Sequence, residues 1–141
     1  MAGRALVLFN LGGPDRLASV RPFLFNLFND RAIVNLPLPA RWLLAQLISR
    51  WRAPFARDIY RKLGGASPLL PETLAQARAI ESELGASWRA FVAMRYWHPF
   101  SEETAHAVKN YAPHQVILLP LYPQYSTTTT ASSLSDWQSA A

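Results

Sequence analysis

The sequence predicts an α/β domain built on a mostly parallel sheet, and three observations predict it. Residues 5–11 (ALVLFNL), 88–96 and 115–122 (QVILLPLY) read as strands, the first of them a continuous apolar run but for Asn10. Continuous rather than alternating hydrophobicity suits strands covered on both faces. Stretches of helical periodicity separate the runs, and alternation of the two element types argues a parallel sheet flanked by helices.

The first run stops at Gly12-Gly13-Pro14-Asp15, a turn. Ser19 is then placed to cap a helix carrying Val20, Phe23, Leu24 and Leu27 on one face. Pro22 is tolerated there because a first-turn N–H has no intrahelical partner. Residues 35–39 (NLPLP) break the chain. A second helix is expected over 41–51, with Leu43, Leu44, Leu47, Ile48 and Trp51 inward and Arg41, Gln46, Ser49 and Arg50 elsewhere. A third is expected over 56–63, stopped by Gly64-Gly65. Pro71 opens a fourth, ending before Gly85, with Leu74, Ala77, Ile80 and Leu84 inward.

Strand 88–96 leads through Pro99 into a helix over 102–111. Ser101 is the expected cap, and Glu102 and Glu103 suit the positive end of the helix dipole. Pro120 inside the third run removes a ladder donor, which predicts an edge or an irregular end. Residues 132–137 begin one more helix shortly before the last residue, and the expectation is a truncated domain.

The 141 residues are half hydrophobic and 16% charged, which fits a folded domain rather than a disordered one. With no cysteine, disulfide frameworks, zinc ribbons and thiolate nucleophiles are excluded. His98, His106 and His114 lack metal-ligand spacing, so no metal ligands are assigned. The net charge of +5 is scattered, with its clearest gathering at Arg41, Arg50, Arg52, Arg57, Arg61 and Lys62. No basic-aromatic nucleic-acid motif accompanies it, so no nucleic-acid partner is expected. A polyanionic small molecule or an acidic lipid surface suits the same charge. No apolar run approaches the ~20 residues of a spanning helix.

Ligands of open α/β sheets bind outside the carboxyl ends of the strands. Those ends carry Gly12-Gly13-Pro14, then Arg95-Tyr96-Trp97-His98, then Tyr122 through Ser126 and the threonines 127–130. Backbone that can approach closely, one cation, aromatic faces and hydroxyls suit a flat, mainly apolar ligand bearing carboxylates. Each piece also has a plainer reading. Gly-Gly-Pro is a turn, Arg95 a surface ion-pair partner, His98 a structural residue, and the threonines either a cap or a hydroxyl nest. Residues 20–63, rich in Phe23, Phe25, Phe28, Trp42, Trp51 and Phe55 and edged by arginines, read as core with a solvated edge or as a hydrophobic lip touching membrane.

LFNLGGP (8–14), YRKLGGASPL (60–69), MRYWHPF (94–100) and LPLYPQYSTTTTASS (119–133) resemble, in order, the signatures of the ferrochelatase family. The resemblance implies a Rossmann-like doubly wound parallel sheet with flanking helices, the first domain of a two-domain chelatase fold, with residues 20–63 as its lip. It implies insertion of Fe²⁺ into protoporphyrin IX to form protohaem. Porphyrin-contacting positions carry over to Leu11, Leu27, Phe28, Ile33, Arg52, Tyr60, Ser67, Arg95, Tyr96, Tyr122, Ser126 and Thr128. Some members have Met or Tyr at the Leu11 position. Cluster-carrying members have Cys where Thr127 stands, so no iron–sulfur cluster is expected. The family's proton-accepting His and its partner Glu match nothing in this chain and are expected in a C-terminal half, leaving the 141 residues inactive alone. The expected location is cytoplasmic, with peripheral contact at the inner face of the membrane. Two other readings stay open: a stand-alone tetrapyrrole carrier that self-associates and, with no P-loop or GxGxxG, a poorly supported nucleotide-binding domain.

Overall fold

Strand β1 (Arg4–Asn10) lies at the centre of a three-stranded parallel sheet of order β2–β1–β3, in a computed structural model describing residues 3–141. Its neighbours are β2 (Trp88–Met94) and β3 (Gln115–Pro120). Arg4 stands opposite Trp88 and Gln115, and the registers run to Asn10–Met94 and Phe9–Pro120. All of Ala5, Leu6, Val7, Leu8 and Phe9 are buried, which accounts for the unbroken apolar run. Pro120 falls at the end of an edge strand, where its missing N–H costs least.

The helices are α1 (Val20–Phe28), preceded by a short 3₁₀ turn at Leu17–Ser19, then α2 (Leu38–Lys62) and α3 (Leu69–Leu84). After β2 comes α4 (Ser101–Tyr111), and after β3 comes α5 (Thr130–Ala140). Residues up to Gly12 form one compact unit with Pro71–Ala141, and Gly13–Leu70 form another, which contains residues 20–63.

In the sheet unit, Ala5, Val7 and Phe9 share a buried cluster with Ala93, Ala105, Val108 and Trp137, so α4 and α5 cover that face. Phe9 meets Trp137 edge-on at 5.8 Å, a geometry worth about 0.5–1.5 kcal/mol beyond burial. Helix α3 is tied to the strands by two polar contacts. Asn10 Nδ2 donates to Thr73 Oγ1 at 3.4 Å, and the Ala90 N–H donates to the Glu81 carboxylate at 2.6 Å.

Several local expectations are corrected. The two helices expected over 41–51 and 56–63 are one helix, with Pro54 inside it. Pro54 and Arg50, whose carbonyl loses its donor, are both exposed, so water can satisfy the freed acceptor. The inward face of α2 is also different. Ala45, Ser49 and Ala53 are buried, while Leu43, Leu47 and Trp51 (72% exposed) face out. Small residues every fourth position let α2 lie close to α1, and Ser49 spends its hydroxyl on the Gln46 carbonyl.

Ser19 is not a side-chain cap; its hydroxyl bonds Asp15 instead. Ser101 is the buried first residue of α4, where the Glu103 carboxylate accepts from the Phe100 N–H at 2.7 Å. On α3 the inward residues are Thr73 and Ala77, with Leu74 and Leu84 exposed. The Gly64-Gly65 stop is as expected: both have φ near +90°, and the Gly65 N–H returns to the Tyr60 carbonyl at 2.8 Å.

Candidate functional site

Because all three strands are parallel, their carboxyl ends share one rim. The chain places β2 on one side of β1 and then crosses to place β3 on the other. The crevice of such a sheet lies at that switch point, outside the ends of β1 and β3. Leu11 and Tyr122 stand there.

Pairing continues past the strands proper. The Arg95 N–H donates to the Asn10 carbonyl at 3.1 Å, Tyr96 N–H to Leu11 at 3.0 Å, and Leu121 N–H to Phe9 at 2.9 Å. The Asn10 side chain accepts from the Leu11 N–H at 2.9 Å, closing the turn from within. Gly12 has φ +94°, and a Cβ there would stand 3.2 Å from both Met94 Cβ and the Trp97 nitrogen. Only glycine meets both demands, so the Gly-Gly-Pro turn is also a close approach of β1 to the segment after β2.

Helix α5 then supplies partners for the rim. Arg95 Nε donates to Ser132 Oγ at 2.8 Å, and its Nη1 lies 3.7 Å from Asp136 Oδ1. The guanidinium covers the Tyr96 ring at 5.0 Å, and Tyr96 is buried. Tyr122 Oη and Ser133 Oγ are 2.8 Å apart. Burial holds the Tyr122 phenol above its ordinary pKa, with Asp136 adding to the effect and the Ser133 bond and Arg95 charge opposing it. The rim therefore holds a neutral phenol and a cation partly balanced by a carboxylate. An incoming acid group would share Arg95 with Asp136.

Ser126 organises the segment between β3 and α5. Its hydroxyl meets Thr128 Oγ1 at 3.2 Å and Thr129 Oγ1 at 2.5 Å and accepts from the Thr129 N–H at 3.1 Å. Thr129, the residue before α5, makes no side-chain cap, so the threonine run forms a hydroxyl turn.

The remaining positions, Leu27, Phe28, Ile33, Arg52, Tyr60 and Ser67, lie in the other unit. Arg52 reaches over the Phe28 ring at 5.8 Å. Leu27 and Phe28 are half-buried and Ile33 is exposed. Burial raises the Tyr60 phenol pKa. The Ser67 N–H donates to the Pro14 carbonyl at 2.8 Å, and its hydroxyl accepts from Leu69. A Cβ on Gly13 would collide with the Ser67 side chain, so the second glycine of the turn leaves room for Ser67.

His98 is engaged locally. Its Nδ1 is 2.7 Å from Glu103, and its ring packs on Phe100 at 4.5 Å. Among the described residues, no group of three or more His, Asp or Glu side chains is gathered to hold a metal. Sequence reasoning missed Ser132, Ser133 and Asp136. The available signal was an S-S-x-x-D pattern opening the helix after the third strand, which puts Ser132 and Asp136 on one face.

The ferrochelatase family profile matches residues 3–141. The chain belongs to the ferrochelatase family. It is 60% identical over 141 residues to a ferrochelatase of Phenylobacterium zucineum (strain HLK1), covering 96% of this chain and 41% of that protein. It is 56% identical to one from Wolbachia sp. subsp. Drosophila simulans (strain wRi), covering 98% and 45%. For a ferrochelatase of Pelagibacter ubique (strain HTCC1062) the identity is 49%, with 96% and 41% covered. The chain thus spans less than half the length of these curated relatives. Within it, the ferrochelatase signatures at 94–100 and 119–133 are the segments that build the rim and its α5 clamp.

Proposed function

We propose that the whole protein inserts Fe²⁺ into protoporphyrin IX to form protohaem, and that this chain supplies its porphyrin-gripping half. The observation that carries this reading is the carboxyl rim, where the Tyr96 N–H pairs with Leu11 and Arg95 stands over the Tyr96 ring and within electrostatic reach of Tyr122, in a family of chelatases. Apolar and aromatic groups suit the macrocycle face. Arg52, Tyr60 and Ser67 suit its propionates, and Leu27, Phe28 and Ile33 its edge.

Metal insertion releases two pyrrole N–H protons, so the site needs a grip that bends the ring and a base that accepts protons. The rim residues support the grip. Tyr122 is held neutral and hydrogen-bonded, and Arg95 is cationic, so neither is the base. His98 is turned to Glu103, His106 is an exposed residue of α4, and His114, whose backbone N–H donates to the Gly3 carbonyl, stands at the amino edge of the sheet. The proton acceptor, a His with a Glu partner, is assigned to the family length outside these residues. With no cysteine, these residues offer no thiolate to an iron–sulfur cluster, in line with Thr127 at the position the clusters use.

The reading extends to a peripheral location at the cytoplasmic face of a membrane. Leu43, Leu47, Trp51 and Phe55 follow one another at four-residue spacing on α2, all exposed, with Arg50, Arg52, Arg57, Arg61 and Lys62 along the same helix. Such a stripe suits the boundary of an anionic bilayer. Among the described residues, no helix is long and apolar enough to cross one.

Turnover of the intact protein with Fe²⁺ and protoporphyrin IX tests the reading. Arg95→Ala and Tyr122→Phe are expected to lower haem formation by at least tenfold while leaving the folded fraction intact. Unchanged turnover in both would remove the rim from the site. The 141-residue chain by itself is expected to show no insertion above background. Porphyrin binding by the intact protein without turnover would favour the carrier reading.

A further inference from the structure

Two site side chains are held from a single turn of α5. Ser132 receives Arg95 Nε, the next residue pairs with the Tyr122 hydroxyl, and Asp136 lies one turn further on at 3.7 Å from Arg95 Nη1. Ser132 and Ser133 are buried, and both the Arg95 and Asp136 side chains are mostly shielded. A guanidinium is a planar fork, and contacts at two of its nitrogens fix its plane as well as its position. Here the guanidinium carbon stands 5.0 Å from the centre of the buried Tyr96 ring, and the Tyr96 N–H pairs with Leu11. One acidic side chain thus bears on where the rim's cation stands.

We propose that Asp136, acting with Ser132, is a positioning residue for Arg95: it holds the guanidinium over Tyr96 and offsets part of its charge, so that the rim presents a directed cation. The proposal rests on the metal-insertion reading of the rim. Asp136 is assigned no contact with substrate: its field on the Tyr122 phenol is the smallest of the influences there, and its main effect passes through Arg95. Loss of the carboxylate weakens the hold on the guanidinium, which can then shift toward a substrate acid group and hold the porphyrin in the wrong pose.

A double-mutant cycle on the intact protein tests this. Haem formation is measured for wild type, Asp136→Asn, Arg95→Ala and the double variant, with porphyrin KM and kcat recorded separately. Asp136→Asn keeps the shape and removes the charge, and is expected to lower kcat by roughly tenfold with porphyrin KM unchanged or lower. In the Arg95→Ala background the same change is expected to have little further effect, and Asp136→Glu is expected to recover most of the activity. Independent, multiplicative losses would make Asp136 merely structural and overturn the proposal, as would wild-type kcat in Asp136→Asn. Absence of turnover in wild type would instead overturn the metal-insertion reading, and with it this proposal. Circular dichroism on each variant separates lost folding from lost positioning.

Discussion

Leu11 is positioned without help from its own side chain: the Asn10 carboxamide takes its N–H, the Tyr96 N–H takes its carbonyl, and Gly12 bends the chain away behind it. The rim is set by backbone in this way, and its side chains are then trimmed by α5. Tyr122 carries a testable consequence. Its phenol pKa is raised by burial, so the folded state holds that proton more tightly than the unfolded chain. The stabilisation is complete below the unfolded value of about 10 and is lost as pH rises through the folded value. Tyr122→Phe is expected to cost about 1 kcal/mol at neutral pH through the lost Ser133 bond. That deficit should shrink in urea titrations taken from pH 8 towards 11; a constant or widening gap would contradict the burial account. The residues missed from sequence were Ser132, Ser133 and Asp136. A serine pair opening a helix looks like ordinary capping chemistry until the Arg and Tyr that it meets, 37 and 11 positions earlier, are placed beside it.

Among the elements, α2 departs furthest from its periodicity. The pattern of Leu43, Leu47 and Trp51 describes an apolar stripe correctly, but assigning it inward rests on the rule that apolar faces are buried. Here the close approach to α1 demands small residues, and Ala45, Ser49 and Ala53 occupy that face. Ala45→Leu is accordingly expected to destabilise the protein by about 1–3 kcal/mol, whereas Leu47→Ala should change stability by less than about 0.5 kcal/mol. Thermal or urea unfolding checks both, and the reverse order would restore the inward stripe. Pro54 misled in the other direction, since a helix breaker in an exposed position leaves its orphaned carbonyl in water. The outward stripe gives its own prediction. Sedimentation with anionic phosphatidylserine vesicles should fall severalfold in Trp51→Ala/Phe55→Ala, while equal sedimentation would detach α2 from the lipid surface.

For the molecule as a whole, the parallel α/β class was legible because β1 is buried on both faces and so reads as an uninterrupted apolar run. The turn glycines were legible because Gly12, Gly64 and Gly65 meet a backbone demand that other residues cannot, while Gly13 leaves room for the Ser67 side chain. Strand order was not legible: nothing in the local pattern of residues 115–120 says that they pair with β1 rather than β2. That order creates the switch point and brings Leu11 beside Tyr122. The proposed porphyrin site therefore depends on topology as much as on its signature residues, and a measurement of place tests it better than one of rate. Chemical-shift mapping of protoporphyrin IX on the intact, isotope-labelled protein provides it, because ring currents mark the residues around the macrocycle. The account predicts the largest shifts at Leu11, Tyr96, Tyr122 and Ser126, with Gly3, Ser87 and His114 at the amino edge unmoved. Shifts gathered at that amino edge, with the four rim residues silent, would contradict it.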